Sequence, residues 1–502
     1  MTKKFVKVVS SFVFIGLIYI VTISLQSCQQ DFVNPGDPTV SDSKFPPEIE
    51  AIFNTPYTSS NVTCNTPSCH SSPNIQAGLD LTNWQKTMNG SNSGTMVIPY
   101  NGFWSHMISY LNSDTNFAPV TYIDPTSLLY TYHKIGASKD SIIMNWINNG
   151  AKRNDGEVAF TNFQAIQKGF ITNQAADLVA VLKTDEKLVT RLIPVGGRSG
   201  LLDSPHYITL SPDNRYFYVS LIQEGYIEKY DVNVDYPFTR TDRIQTGLNP
   251  AHIVISSDGN TGYVTNFDAS GTEKMVRKFS TNPMQVVDTV SDIKMKAPHG
   301  MALSNNGQYL YVTAQLGEYI FKIRLSDFEI ELSGGIDPSV PPTGNGTGNF
   351  KPYQAVLSPD NSLLYVSCVA SNQVRVYNIS DLSLVNTIPV GANPLLMKFT
   401  NDGSYLFVCN RNDNTVPVIN GSNNTVQTTV TGVGIQPHGV DFTSDGQYAI
   451  IACETQSGFD GHHPTVGSKK IGVSRLIKVS NFELQENRLE MASFPAGITT
   501  IK

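Results

Sequence analysis

Charge is what this chain has least of. Only 15% of its 502 residues are Asp, Glu, Lys or Arg, where a soluble globular chain averages about 25%. Acids outnumber bases, for a net charge of −7, and no Lys/Arg stripe occurs. Both facts exclude a nucleic-acid binder, whose affinity rests on neutralised phosphates. Long apolar runs are also scarce: the one present, Phe12 to Leu25, lies near the N-terminus. Aromatics are not lacking. The 24 Phe and 22 Tyr supply enough apolar area to exclude a disordered chain. A chain of 502 residues exceeds one hydrophobic core, so several domains or a repeat are expected.

Lys3, Lys4 and Lys7 followed by the Phe12–Leu25 run form the charged and apolar regions of an export signal. Leu25-Gln26-Ser27-Cys28 resembles the lipobox of bacterial lipoproteins, which implies cleavage after residue 27 and a lipid on Cys28. Polar residues follow with no basic stop-transfer flank. Gln29 after Cys28 favours the outer membrane by the same resemblance. Residues 28–48, with Pro35, Pro38, Pro46 and Pro47, read as a flexible tether.

Cys64-Asn65-Thr66-Pro67-Ser68-Cys69-His70 is the sharpest chemical motif. Two thiols beside a histidine suit thioether attachment of a haem with the imidazole on its iron, although four residues rather than the common two separate the cysteines. The alternative is a small Cys64–Cys69 disulfide loop. Residues 49–155 around the motif resemble a small class I cytochrome c domain. The likeness rests on Gly78-Leu79-Asp80-Leu81, on Val97-Ile98-Pro99-Tyr100, and on the closing Ile143-Met144-Asn145-Trp146-Ile147-Asn148-Asn149-Gly150-Ala151. Ile142, Ile143, Trp146 and Ile147 fall at helical spacing, with Gly150 at a C-cap. The resemblance implies haem c and a sixth iron ligand in the loop before the last helix. That loop carries His133 and no methionine; Met96, Met107, Met144 and His106 compete but suit packing better.

From residue 160 onward a repeat appears. Leu210 to Ser220 recurs at 255–266, 303–314, 357–368, 399–410 and 442–453, each copy a strand, an Asp/Asn turn and a second strand. Pro205, Pro250, Pro298, Pro352, Pro394 and Pro437 mark the copies at steps of 45, 48, 54, 42 and 43 residues, the period of a four-stranded propeller blade. A seventh copy is split: Pro495 to Ile501 supplies its first strand and Lys168 to Gln174 its second, so the termini close a ring. The signature Phe170-Ile-Thr-Asn, Tyr218-Val-Ser-Leu, Tyr263-Val-Thr-Asn, Tyr311-Val-Thr-Ala, Tyr365-Val-Ser-Cys, Phe407-Val-Cys-Asn and Ile450-Ile-Ala-Cys resembles the YVTN family of propellers. The fold expected is therefore an all-β seven-bladed propeller over 160–502 plus a small all-α cytochrome c-like domain. Cys368, Cys409 and Cys453 sit in the signature on different blades and read as small buried residues.

His206, His299 and His438 directly follow the marker prolines, His252 follows one residue later, and His462 and His463 lie in the polar insertion 454–467 with Asp460. The meander of a blade brings these positions to one face, at the mouth of the central channel. Such a set can bind a transition metal or serve as acid and base; the alternative is that each caps a strand. The plan is similar in outline to nitrous-oxide reductase and the haem-d1 nitrite reductases, without a matching ligand pattern. The chain reads as an exported, membrane-tethered electron-transfer protein meeting a redox partner in the cell envelope, its propeller face binding substrate, metal or partner. The rival is a non-enzymatic binding scaffold.

Overall fold

A computed structural model of the protein describes residues 44–502 apart from 57–61, 68, 74, 93, 112–134, 162–164, 269 and 456–470. Residues 44–502 form one compact unit. Its larger part is seven four-stranded antiparallel sheets. Blades one to six run in chain order over 205–245, 250–291, 298–335, 352–389, 394–431 and 435–491, and blade seven joins Pro495–Thr500 to three strands between 168 and 194. The closing ladder pairs Gly169 with Thr500, Phe170 with Thr499 and Ile171 with Ile498, as the split repeat predicts.

The marker prolines share a local geometry. The residue before each one, Ser204, Asn249, Ala297, Lys351, Asn393, Gln436 or Phe494, has φ between 46° and 62°, a region that non-glycine residues seldom occupy. One residue of slippage follows in every innermost strand: Pro205 pairs with Leu221 but Ile208 with Val219, and the other six strands repeat the shift. A bulge of this kind leaves an N–H outside the ladder and re-aims the adjacent side chains.

The signature hydroxyl repairs that loss. In blade two, Thr265 Oγ1 accepts the His252 N–H at 3.1 Å and donates to the carbonyl of His299 in blade three at 2.6 Å. Ser220 bridges in the same way to Ala251, Thr313 to Tyr353, Ser367 to Leu395 and Thr172 to His206. These five side chains are fully buried. The third signature position thus ties each blade to the next one's innermost strand. Blades five and six carry Cys409 and Ala452 there, and other groups make the tie. Arg411 of blade five grips Glu454 of blade six at 2.8 and 2.7 Å. Asp441 of blade six accepts the Thr500 N–H of blade seven at 3.0 Å.

Strand-to-strand turns use a second hydroxyl. Ser211 donates to Asp213 at 2.5 Å and accepts the Tyr216 N–H at 2.9 Å. Ser256 with Asp258, Ser358 with Asp360 and Thr400 with Asp402 repeat the motif.

The segment before the propeller contains, among the described residues, four helices: α1 (Pro47–Asn54), α2 (Trp84–Met88), α3 (His106–Leu111) and α4 (Ala137–Asn148). Ile49, Ile52 and Phe53 of α1 join Ile143, Trp146 and Ile147 of α4 in one core, where Phe45 meets Trp146 edge-on at 5.9 Å. Phe45, within the span expected to be a tether, is buried in this core. The indoles of Trp84 and Trp146 donate to the carbonyls of Ala151 and Lys152 just past α4. Gly150, at φ 99°, turns the chain there. Ile142 departs from the expected stripe and is 37% exposed. This helical part packs against the outer strands of blades six and seven and a loop of blade one. Buried His106 Nε2 lies 2.6 Å from Glu490, Arg191 donates to Ala159 O at 3.0 Å, and Tyr100 stacks on Tyr236 with centroids 3.9 Å apart.

Replacing Thr265 with Val should cost about 1–3 kcal/mol in urea unfolding, since it leaves a buried N–H and a buried carbonyl unpaired at once. The turn hydroxyls and N–H groups hold Asp213, Asp258, Asp360 and Asp402 below the ordinary carboxylate range. A depressed folded-state value stabilises the fold above the unfolded value of about 3.9 and ceases to do so as pH falls through the folded one. The urea midpoint should therefore hold from neutrality to about pH 5 and drop below about pH 4, with a shallower drop in Asp360→Asn.

Candidate functional site

The bulge after each marker proline aims the side chains at the first and second following positions into the ring's interior. His206, His299, Tyr353 and His438 occupy the first position in blades one, three, four and six, and His252 the second in blade two. All five are at most 2% exposed. The structure brings His206, His252, His299 and His438 together. Ring centroids lie 4.8 Å apart for His252 and His299, 5.6 Å for His206 and His299, and 5.8 Å for His206 and His438. One nitrogen each from His206, His252 and His299 falls within 4.8 Å of the other two. Asp460, His462 and His463 lie outside the described residues, as do His133 and Cys28.

The four histidines are held differently. His438 Nδ1 lies 3.0 Å from Glu454 Oε1, and its Nε2 meets the Tyr353 hydroxyl at 3.2 Å. His299 Nδ1 lies 3.2 Å from the Tyr353 carbonyl, an acceptor only, so Nδ1 carries the proton and Nε2 the lone pair. His206 Nδ1 meets the Gln174 amide at 3.2 Å. His252 stacks on Tyr207 at 4.1 Å, and neither of its buried ring nitrogens has a hydrogen-bond partner. Burial, and next the proximity of His438, push its pKa down to about 3, so the ring is neutral. Tyr353, Gln174 and Glu454 complete this cluster. Sequence reasoning passed over Tyr353 although it holds the same post-proline position as three of the histidines, which was the available signal.

A second cluster lies in the helical part. The His70 N–H donates to the Cys64 carbonyl at 3.1 Å, closing the loop that carries Cys64 and Cys69 as free thiols. His70 Nδ1 lies 3.2 Å from the carbonyl of Leu79, which fixes the tautomer with its lone pair on Nε2. Cys64 is buried against the α1–α4 core, and that burial, reinforced by Cys69, pushes its thiol up to about 11. Met96, Met107 and Met144 pack in or against the same apolar core as Cys64, and His106 pairs with Glu490. Cys368, Cys409 and Cys453 are free and fully buried, and burial raises each thiol, as expected of packing residues.

Comparison with known proteins supports the ring. The family described as lactonase, 7-bladed beta-propeller, matches residues 276–442. The 6-phosphogluconolactonase of Cronobacter sakazakii is 24% identical over 298 residues, which is 55% of this chain and 86% of that protein. A candidate 6-phosphogluconolactonase from Bacteroides uniformis superimposes with a TM-score of 0.51 at 14% identity, over 67% of this chain and 99% of that one. Hydrazine synthase from Kuenenia stuttgartiensis gives 0.50 at 16% identity, over 65% of this chain and 100% of that one. These likenesses establish a seven-bladed propeller of four-stranded antiparallel blades, with a lactonase-like stretch across its middle blades.

The Arg411–Glu454–His438 chain beside the pocket is buried throughout. Glu454→Gln should lower stability by about 3–5 kcal/mol in urea unfolding, because it strands a buried guanidinium. Replacing both Arg411 and Glu454 by apolar residues should recover most of that loss.

Proposed function

We propose that this chain is an exported, lipid-anchored c-type haem protein that passes single electrons in the cell envelope, with a propeller whose channel mouth is its ligand-binding pocket. The observation that carries the haem assignment is the His70 Nδ1 contact with the Leu79 carbonyl beside two free thiols. Metal-ligating histidines commonly donate their second ring N–H in this way, which orients the ring and raises its basicity. Cys64 and Cys69 would form the two thioethers, and His70 Nε2 would face the iron. When bound, the haem supplies a one-electron couple whose potential follows from its axial ligands and burial. The chain's own part is to fix His70 in one tautomer and to shield Cys64 within the α1–α4 core. His133 is retained as the proposed sixth ligand, and Cys28 as the lipid attachment point.

The relatives' names raise a second reading, a lactone hydrolase. The pocket offers it little: Arg411, the guanidinium beside His438, is held by both Glu454 oxygens rather than presented to a phosphate. A binding scaffold without haem is the remaining rival.

Protein produced with a haem-attachment system should show sharp α and β bands in a reduced-minus-oxidised absorption spectrum and stay coloured after denaturation. Cys64→Ser with Cys69→Ser should abolish covalent colour, and His70→Ala should retain attached haem while changing its spin state. A colourless wild-type protein would rule the electron-transfer reading out.

A further inference from the structure

We propose that His206, His252 and His299 form a tri-imidazole site for one late first-row transition-metal ion, copper or zinc. The proposal deepens the reading of the channel mouth as a ligand pocket and is independent of haem attachment in the helical part.

His252 carries the argument. An imidazole 1% exposed, with both nitrogens unbonded, bears the full cost of losing water and recovers none of it within the chain. Its nearest suitable neighbours for a shared ligand are the nitrogens of His206 and His299, within 4.8 Å. That separation is beyond a hydrogen bond. Three nitrogens each about 2.1 Å from a common ion lie about 3.4–3.6 Å apart in tetrahedral or trigonal geometry, so rotation of the rings must bring the widest pair closer by about 1.2–1.4 Å.

The surroundings fit a metal better than an organic ligand. His299 is oriented by the Tyr353 carbonyl and His206 meets the Gln174 amide, the outer contacts that fix metal-binding imidazoles. His438 stands beside the three but spends its nitrogens on Glu454 and Tyr353, which makes it a supporting residue rather than a fourth ligand. The three ligands are neutral nitrogen donors with no carboxylate among them, a set that suits copper or zinc and disfavours calcium or magnesium. Three protein ligands also leave a coordination position for water or a substrate. The placement is specific to the fold: His252 lies one residue later than the others, and only the bulge brings both positions inward together.

The test is titration of the chelator-treated full chain, as a Cys64→Ser/Cys69→Ser variant so that neither haem nor thiols contribute, with Cu(II) or Zn(II). One equivalent of one of these ions should bind and raise the melting temperature, and His252→Leu should weaken binding at least 100-fold. Without metal, His252→Leu should melt no lower than its parent, since it removes an unbonded imidazole. Copper, if it is the ion, should show nitrogen hyperfine structure in its electron paramagnetic resonance spectrum from three coupled nitrogens, reduced to two in His299→Gln. No stoichiometric binding to the parent chain, unchanged affinity in His252→Leu, or a lower metal-free melting temperature in that variant would each overturn the proposal. The haem spectrum stands or falls separately.

Discussion

A buried hydroxyl that serves two strands at once is the interaction on which this ring depends. Each innermost strand opens with a left-handed residue, a proline and a bulge, an arrangement that forfeits a ladder hydrogen bond and sets a backbone residue in a sparsely populated region. Such geometry persists only where its surroundings compensate. Thr265 and its four counterparts satisfy the freed N–H and reach across to the next blade in the same stroke. Local strain and inter-blade cohesion are therefore one device. The closing ladder between Gly169–Asn173 and Pro495–Thr500 then leaves no blade at an open end.

The same device positions the chemistry. A regular strand would alternate its side chains between the two faces of a sheet. Because two residues oppose one at the bulge, His252 at the second position and His299 at the first both point inward, with centroids 4.8 Å apart. The helical part depends on a different principle, in which two indoles and a two-helix core hold the chain around Cys64 and His70. Its contact with the propeller through His106 and Glu490 is buried and polar, which demands a defined docking geometry of the kind an apolar contact would not impose.

Much of this was legible in the residues. The repeat announced itself through prolines at near-constant spacing, and the split blade followed because Pro495 had no second strand after it while Lys168–Gln174 had no first. The convergence of histidines was readable from their offset to those prolines. What the sequence could not convey was their inequality: His438 looks identical to His206 and His299 in its Pro-His context, and only the position of Glu454, sixteen residues on, separates it from them. The bonding of His252 was equally invisible, since an absent partner leaves no mark in a string of letters. Ile142 misled because helical spacing alone does not say where an apolar stripe ends.

Blades five and six lack the bridging hydroxyl and are tied instead by Arg411–Glu454 and by Asp441. Seven equivalent blades would present any guest in the central channel with seven indistinguishable orientations, and so with no preferred one. Replacing the hydroxyl bridge by charged groups in blades five and six breaks that degeneracy. One side of the ring thus differs in charge and hydrogen bonding from the rest, and directions around the axis are no longer equivalent.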